Sequence, residues 1–111
     1  MQTLTPFELA SLLGAGRPST PVLLDVREPW ETALARIVAD DAEPLDIPMM
    51  QIPSRLTDID RSRPVVCICH HGMRSAQVVA FLQQQGYPSV YNLTGGIDAW
   101  SRDVDAAVAR Y

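Results

Sequence analysis

The sequence contains no lysine, and its nine basic side chains are all arginines. Thirteen aspartates and glutamates outnumber them, so the net charge at pH 7 is −4, and the arginines form no basic cluster. Proteins that bind nucleic acid or an anionic membrane through phosphate contacts need clustered positive charge. We therefore expect neither nucleic acid nor a membrane among the partners of this protein.

Cysteine is scarce too, and no hydrophobic run is long. The two cysteines, Cys67 and Cys69, stand too close together to close a useful disulfide loop, so nothing indicates an oxidising compartment. Residues 1–6 lack the basic and apolar regions of a secretory signal. No apolar stretch approaches the roughly 18 residues that a membrane span requires. We expect a cytoplasmic location.

What the sequence does contain is enough for one compact domain. Its 111 residues are 47% hydrophobic, and the chain is too short for two domains. A domain of this length buries roughly two-thirds of the surface of its unfolded chain, so it needs no disulfide. We predict a single domain over residues 1–111, with a core at about 5–102 and a C-terminal tail at 103–111.

Apolar runs alternate with helical patterns along the chain. Residues 21–26 and 64–69 are continuous apolar runs, which are typical of strands covered on both faces. Buried strands that alternate with helices predict an α/β fold with a parallel central sheet and helices on both faces. We predict helices from residue 6 to the glycines at 14–16 and over 30–35, 75–86 and 97–100, the start of a short helix at 53–56, and further strands at 45–47 and 90–93.

The loop after the second apolar run carries the chemistry. Cys69 stands at the carboxyl end of that strand, which is where open α/β folds place their sites. Backbone N–H groups of the loop can form an anion-binding nest, and the next helix adds its dipole, so the cysteine is expected to act as a thiolate. Arg74 supplies a fixed positive charge with planar donors, and Gly72 permits a backbone conformation that a side chain would penalise.

The pattern Cys69-x-x-Gly72-x-Arg74-Ser75 resembles the active-site loop of rhodanese domains. Residues 25–28 (Asp-Val-Arg-Glu), the Ile-Pro pair that follows them and the Leu-Thr-Gly-Gly-Ile-x-Ala-Trp segment near the C-terminus match further family segments in the same order. The resemblance covers most of the chain. It departs from the family at residues 35–37, where many members have Gly-His-Ile and this chain has Ala-Arg-Ile.

The resemblance implies a rhodanese-like fold and a sulfurtransferase that works without a cofactor. In that family the cysteine takes the outer sulfur of a donor such as thiosulfate or a persulfide and holds it as a cysteine persulfide. The sulfur then passes to cyanide, a thiol or a protein. Cys69 would be the nucleophile here. The substrate-binding residues would be His70, His71, Gly72, Met73, Arg74 and Ser75, and the residues that support the site would be Asp25, Arg27, Gly95 and Gly96.

Several side chains near the loop allow more than one interpretation. Asp25 and Arg27 are expected to form a structural ion pair rather than to act in catalysis. Cys67 is expected to pack in the core, with a resolving thiol as the alternative. His70 and His71 invite a zinc interpretation, but they lack the spaced pairs of ligands typical of zinc sites, so we predict no metal. As neutral imidazoles lining the mouth, they would disfavour small dianionic donors and favour thiol-based ones.

Two other functions compete with this prediction. Cysteine-dependent phosphatases and arsenate reductases have five residues between cysteine and arginine, whereas four separate Cys69 from Arg74 and six separate Cys67 from Arg74. The loop is therefore too short for a tetrahedral oxyanion. A sulfur-relay or regulatory module that works only when docked to a partner protein stays open, because the sequence does not separate it from a free-standing enzyme.

Overall fold

Nine helices and strands and two 3₁₀ helices make up the computed structural model, which describes residues 1–14 and 20–111. The strands are β1 (Thr3–Leu4), β2 (Val22–Asp25), β3 (Glu43–Asp46), β4 (Val65–Ile68) and β5 (Val90–Leu93). The helices are α1 (Pro6–Leu13), α2 (Pro29–Leu34), α3 (Met73–Gln84) and α4 (Gly96–Asp103), with 3₁₀ helices at Met49–Gln51 and Pro53–Asp58. All strand pairs are parallel, in the order β1-β5-β4-β2-β3.

The central strands β2 and β4 are buried along their whole length, and their side chains alternate between two cores. On one face, Cys67 and Cys69 belong to a cluster with Val79 of α3. On the other face, Val66 belongs to a cluster with Leu9 of α1 and residues of α4. Because successive side chains of a strand point to opposite faces, each core needs its own helical cover. The predicted α/β fold, with a parallel sheet and helices on both faces, is confirmed.

The structure differs from the sequence-based prediction at several points, among them β3, which spans Glu43–Asp46 instead of 45–47, and α3, which ends at Gln84 instead of residue 86. β1 was not predicted, because two residues that pair with Asn92 and Leu93 of β5 are too short to show a periodic pattern. α3 begins at Met73 rather than at residue 75, so Arg74 lies in the first helical turn and not in the loop. The predicted end of the first helix, at residues 14–16, lies partly outside the described residues. In the described part, α1 ends at Leu13 and Gly14 follows it. No helix in the described ranges is long and apolar enough to cross a membrane.

Candidate active site

The thiol of Cys69 lies at the carboxyl end of β4, with both neighbouring strands ending beside it. Only 1% of the residue is exposed. The backbone N–H of Gly72 donates a hydrogen bond to its Sγ at 3.0 Å, and the Oγ of Ser75 lies 3.3 Å from the same sulfur. The start of α3 therefore presents polar donors to a sulfur atom that is otherwise enclosed by the core.

The loop can approach the thiol because Gly72 has a positive φ of 101°. A Cβ at this position would lie 3.3 Å from the backbone nitrogen of Gly95 and 3.4 Å from the carbonyl oxygen of Leu93. The left-handed conformation and the close neighbours both disfavour a side chain here. The glycine therefore turns the chain into α3 with its N–H aimed at Cys69.

Asn92 of β5 holds this turn in place, and sequence reasoning did not single it out. Its Nδ2 donates to the carbonyl oxygen of Gly72 at 3.0 Å, and its Oδ1 accepts a hydrogen bond from the hydroxyl of Ser75. Ser75 has one hydroxyl hydrogen, so donation to Asn92 and donation to Cys69 are alternatives that can follow the charge of the sulfur. The available signal was one polar residue inside the otherwise apolar strand β5.

The first turn of α4 binds the other side of the loop. The backbone N–H groups of Ile97 and Asp98 donate to the carbonyl oxygens of Cys69 and His70, at 2.9 and 3.1 Å. Gly96 lies directly against these carbonyl groups, with a positive φ of 64°. The predicted supporting glycine therefore allows a helix N-terminus to lie against the backbone of the nucleophile.

Arg74 forms a two-point ion pair with Glu31 of α2. Its Nη1 and Nη2 lie 2.6 and 2.8 Å from the two carboxylate oxygens. The hydrogen bonds from Arg74 lower the pKa of Glu31 from 4.5 to about 2, and the same contact raises the pKa of Arg74. Sequence reasoning assigned Arg74 to the substrate and gave Glu31 no role. The structure places a buried carboxylate, 3% exposed, on that arginine.

Arg27 is a fully buried arginine whose five N–H donors are all engaged. Nε and Nη2 bind the carboxylate of Asp25 at 2.9 and 2.6 Å. The remaining donors bind the carbonyl oxygens of Glu31 and Ala35 and the hydroxyl of Tyr111, at 3.2, 2.6 and 3.0 Å. Burial lowers the pKa of Arg27, but the bonds to Asp25 and Tyr111 outweigh it and the net direction is upward. The expected ion pair is present and anchors β2 to α2.

Tyr111 brings the segment after α4 back to the site. Its ring stacks on that of His70, with centroids 3.9 Å apart and planes 8° apart, and His70 stacks in turn on His71. Its hydroxyl donates to Glu31 at 2.7 Å while accepting from Arg27. Burial, and next to it the proximity of the His71 imidazole, lower the pKa of His70. Sequence reasoning gave this tyrosine no role.

His70, His71 and Asp98 are the described residues that come closest to a metal site, with ligand atoms within 4.8 Å of one another. Both oxygens of Asp98 are bound by Arg110, at 3.0 and 3.1 Å. The imidazole planes stack at 26°, and the lone pairs of nearly parallel rings do not converge on one ion. The absence of a metal therefore stays our prediction.

Cys67 lies two positions before Cys69 on the same face of β4. It is fully buried in the core cluster, and burial raises the pKa of its thiol well above the ordinary value. A thiol that stays protonated is a poor nucleophile. This favours the packing role over that of a resolving thiol.

The ion pair of Glu31 predicts a particular dependence of stability on pH. Because the pKa of Glu31 falls from 4.5 to about 2 on folding, its stabilising contribution is complete above pH 4.5 and is lost as the pH falls towards 2. We expect Glu31→Gln to be less stable than wild type at about pH 7, with the difference shrinking at about pH 3. Thermal unfolding at both pH values measures this. Equal differences at both would contradict it, and Asp58→Asn, which removes the carboxylate of an exposed arginine pair, is the matched control.

Comparison with known proteins agrees with this geometry. The rhodanese-like domain family model matches residues 5–103. A protein of Allochromatium vinosum named "Sulfurtransferase" is 46% identical over 81 residues, which are 73% of this chain and 72% of that protein. The crystal structure of a rhodanese-like domain protein from Staphylococcus aureus superposes with a TM-score of 0.78 at 32% identity, covering 100% of this chain and 99% of that one.

A larger protein contains a similar unit. The structure of an NAD-dependent persulfide reductase from A. fulgidus matches 90% of this chain with a TM-score of 0.70 at 29% identity, but this chain spans only 16% of its length. The family and the named relative support sulfur transfer in general. The fold, the motif order and the family match agree, and the chain belongs to the rhodanese-like domain family.

Proposed function

We propose that this protein is a sulfurtransferase in which Cys69 carries the transferred sulfur as a persulfide. The observation that carries the proposal is the buried Sγ of Cys69 at the end of β4, with the N–H of Gly72 at 3.0 Å and the first turn of α3 directed at it. The named sulfurtransferase relative supports the reaction class. The donor would be thiosulfate or a low-molecular-weight persulfide, and the acceptor a thiol, cyanide or a protein.

The reaction divides into two displacements at sulfur. The thiolate of Cys69 attacks the outer sulfur of the donor, the sulfur–sulfur bond of the donor breaks, and its electron pair leaves with the remaining group, for example sulfite. The acceptor then attacks the outer sulfur of the persulfide and releases the Cys69 thiolate. The negative charge on sulfur stays close to the Gly72 N–H and the dipole of α3 in both steps. The Ser75 hydroxyl can turn from Asn92 to the sulfur when that charge is present.

Persulfide formation is the direct test. We expect the protein, incubated with thiosulfate or glutathione persulfide, to gain one sulfur atom at Cys69, while Cys69→Ser gains none. Intact-protein mass spectrometry on the two proteins detects the difference. Labelling by small donors also distinguishes an independent enzyme from a module that takes sulfur only from a partner. Equal labelling of wild type and Cys69→Ser would refute the assignment of the nucleophile.

Phosphatase chemistry is the other enzymatic candidate, and the site disfavours it. The loop has four residues between Cys69 and Arg74, and the guanidinium of Arg74 is bound at two points by Glu31 instead of facing the inside of the loop as a free anion ligand. We expect p-nitrophenyl phosphate to be hydrolysed no faster than in buffer. A release of p-nitrophenol that depends on Cys69 would show that the loop accepts a phosphoryl group.

A further inference from the structure

The charged side chains described around the loop neutralise one another. Arg74 is bound by Glu31 at 2.6 and 2.8 Å, and Arg27 by Asp25 at 2.6 and 2.9 Å. On the other side of the loop, Asp98 is bound by Arg110 at 3.0 and 3.1 Å. Each arginine therefore faces one carboxylate, and the side chains leave no net positive charge for a substrate. The backbone N–H of Gly72 and the dipole of α3 are then the groups that attract an anionic substrate.

Exposed apolar and aromatic side chains lie beside the nucleophile loop and form part of the rim of the site. Met73, the first residue of α3, is 79% exposed, and Trp30 beside Glu31 is 63% exposed. The rings of Tyr111, His70 and His71 form a stack with successive centroids 3.9 Å apart. Such a rim offers van der Waals contact and ring stacking to a substituent next to the reacting sulfur, and gives a small hydrated dianion little to bind.

We infer that the site selects monoanionic sulfane-sulfur donors that carry an apolar or planar substituent over the thiosulfate dianion. Glu31 determines the preference for charge, because it cancels the positive charge of Arg74 in the first turn of α3, directly after the nucleophile loop. Tyr111 determines the preference for the substituent, because its ring holds the imidazole stack in place. This inference rests on the proposed sulfur transfer and names the donor class for it.

Organic thiosulfonates, R–SO₂–S⁻, belong to this donor class. The thiolate of Cys69 attacks the outer sulfur, the bond between that sulfur and the sulfonyl sulfur breaks, and its electron pair leaves on the sulfinate R–SO₂⁻. The outer sulfur stays as the terminal atom of the Cys69 persulfide, and cyanide then removes it as thiocyanate. The thiolate and the thiosulfonate are both monoanions, and so are the persulfide and the sulfinate that form. The step therefore needs no proton and no external oxidant. With thiosulfate the same step releases the sulfite dianion.

Three donors separate the effect of the donor's charge from the effect of its substituent. Thiosulfate is a dianion, methanethiosulfonate is a monoanion with a small group, and benzenethiosulfonate is a monoanion with a ring. Each is assayed for kcat/KM with cyanide as the common acceptor. Since the leaving groups differ in intrinsic reactivity, every variant is compared with wild type on the same donor, and the donor ratios are then compared.

A double-mutant cycle at Glu31 and Arg74 tests the preference for the charge of the donor. Glu31→Gln leaves one net positive charge, so the kcat/KM of thiosulfate should rise roughly tenfold relative to methanethiosulfonate. Arg74→Gln leaves one net negative charge and should shift that ratio in the opposite direction. The double variant is neutral again and should restore the wild-type ratio even if its overall activity is low, because loss of positioning acts on all donors alike.

Tyr111 is tested by two substitutions. Tyr111→Leu removes the ring and should lower the kcat/KM of benzenethiosulfonate relative to methanethiosulfonate by roughly threefold to tenfold, whereas Tyr111→Phe keeps the stack and should keep the ratio. Asp58→Asn removes a carboxylate from the exposed Arg55 pair and should leave every ratio unchanged. Asp58 is the last residue of the second 3₁₀ helix. Tyr87, which follows the C-terminal end of α3, donates a hydrogen bond to that 3₁₀ helix, so the control residue lies near the end of α3 that is opposite to the nucleophile loop.

The outcomes separate the two levels of the proposal. If wild type takes sulfur from none of the three donors and Cys69 is not labelled, the proposed function fails. If sulfur is transferred but the Glu31 and Arg74 variants change all three donors by one common factor, the function stands and the selectivity inference is wrong. A shift of the donor ratios in opposite directions by Glu31→Gln and Arg74→Gln, restored in the double variant, establishes the preference for charge. A Tyr111→Leu protein with the wild-type ratio of benzenethiosulfonate to methanethiosulfonate would overturn the preference for the substituent.

Discussion

Gly96→Ala is expected to lower the free energy of unfolding by about 3 kcal/mol or more and to displace the active-site loop. The added Cβ would overlap the carbonyl groups of Cys69 and His70, and the residue has a positive φ of 64°. Left-handed backbone costs about 1–2 kcal/mol for a residue with a side chain, and overpacking a close contact costs about 1–3 kcal/mol more. For a domain of this size the midpoint of thermal unfolding should fall by more than about 10 °C.

Gly96→Ala should also reduce the uptake of sulfur by Cys69. Ile97 and Asp98, which follow Gly96, hold the carbonyl oxygens of Cys69 and His70 through their N–H groups. Moving α4 away to accommodate the methyl group lengthens both hydrogen bonds, so sulfur uptake per folded molecule should fall as well. Gly14→Ala is the control, because φ there is −85° and the nearest atom to the new Cβ is 3.6 Å away. A Gly96→Ala protein as stable and active as Gly14→Ala would contradict this account of the loop.

Arg27→Met should destabilise the protein by about 3–5 kcal/mol, because it leaves the carboxylate of Asp25 buried without its partner. The arginine side chain is 0% exposed, and its removal also takes the Arg27 donor from the carbonyl oxygen of Ala35 and one of two donors from that of Glu31. Domains have a total stability of only about 5–15 kcal/mol, so this is a large fraction of it. Urea unfolding followed by circular dichroism measures the loss.

Two further proteins give this prediction its controls. Arg55→Met removes an arginine from an exposed pair with Asp58 and should cost less than about 1 kcal/mol. Arg27→Lys keeps the charge but has three donors on one atom in place of five in a planar fork, so it should recover only part of the stability. Equal unfolding free energies for Arg27→Met and Arg55→Met would show that the buried pair has no special role.

Local patterns were sufficient for most of the fold. The apolar runs at 21–26 and 64–69 predicted the two central strands because a strand buried on both faces cannot include many polar side chains. Residues 90–93 were predicted as a strand with the observed bounds. The predicted start of α3 was two residues too late. The positive φ of Gly72 turns the chain into the helix at Met73, earlier than the residue composition indicates.

The site was predictable only in part. The position of Cys69 before a glycine loop and a helix is a local feature, and the sequence alone determined it, together with the sheet and the Asp25–Arg27 pair two residues apart. Arg74 and Glu31 are 43 positions apart, Ser75 and Asn92 are 17 apart, and Tyr111 and Glu31 are 80 apart. No local period or spacing links such residues. The packing of α2, β5 and the segment after α4 against one sheet edge decided these partners, and with them the charge and the shape that a sulfur donor meets.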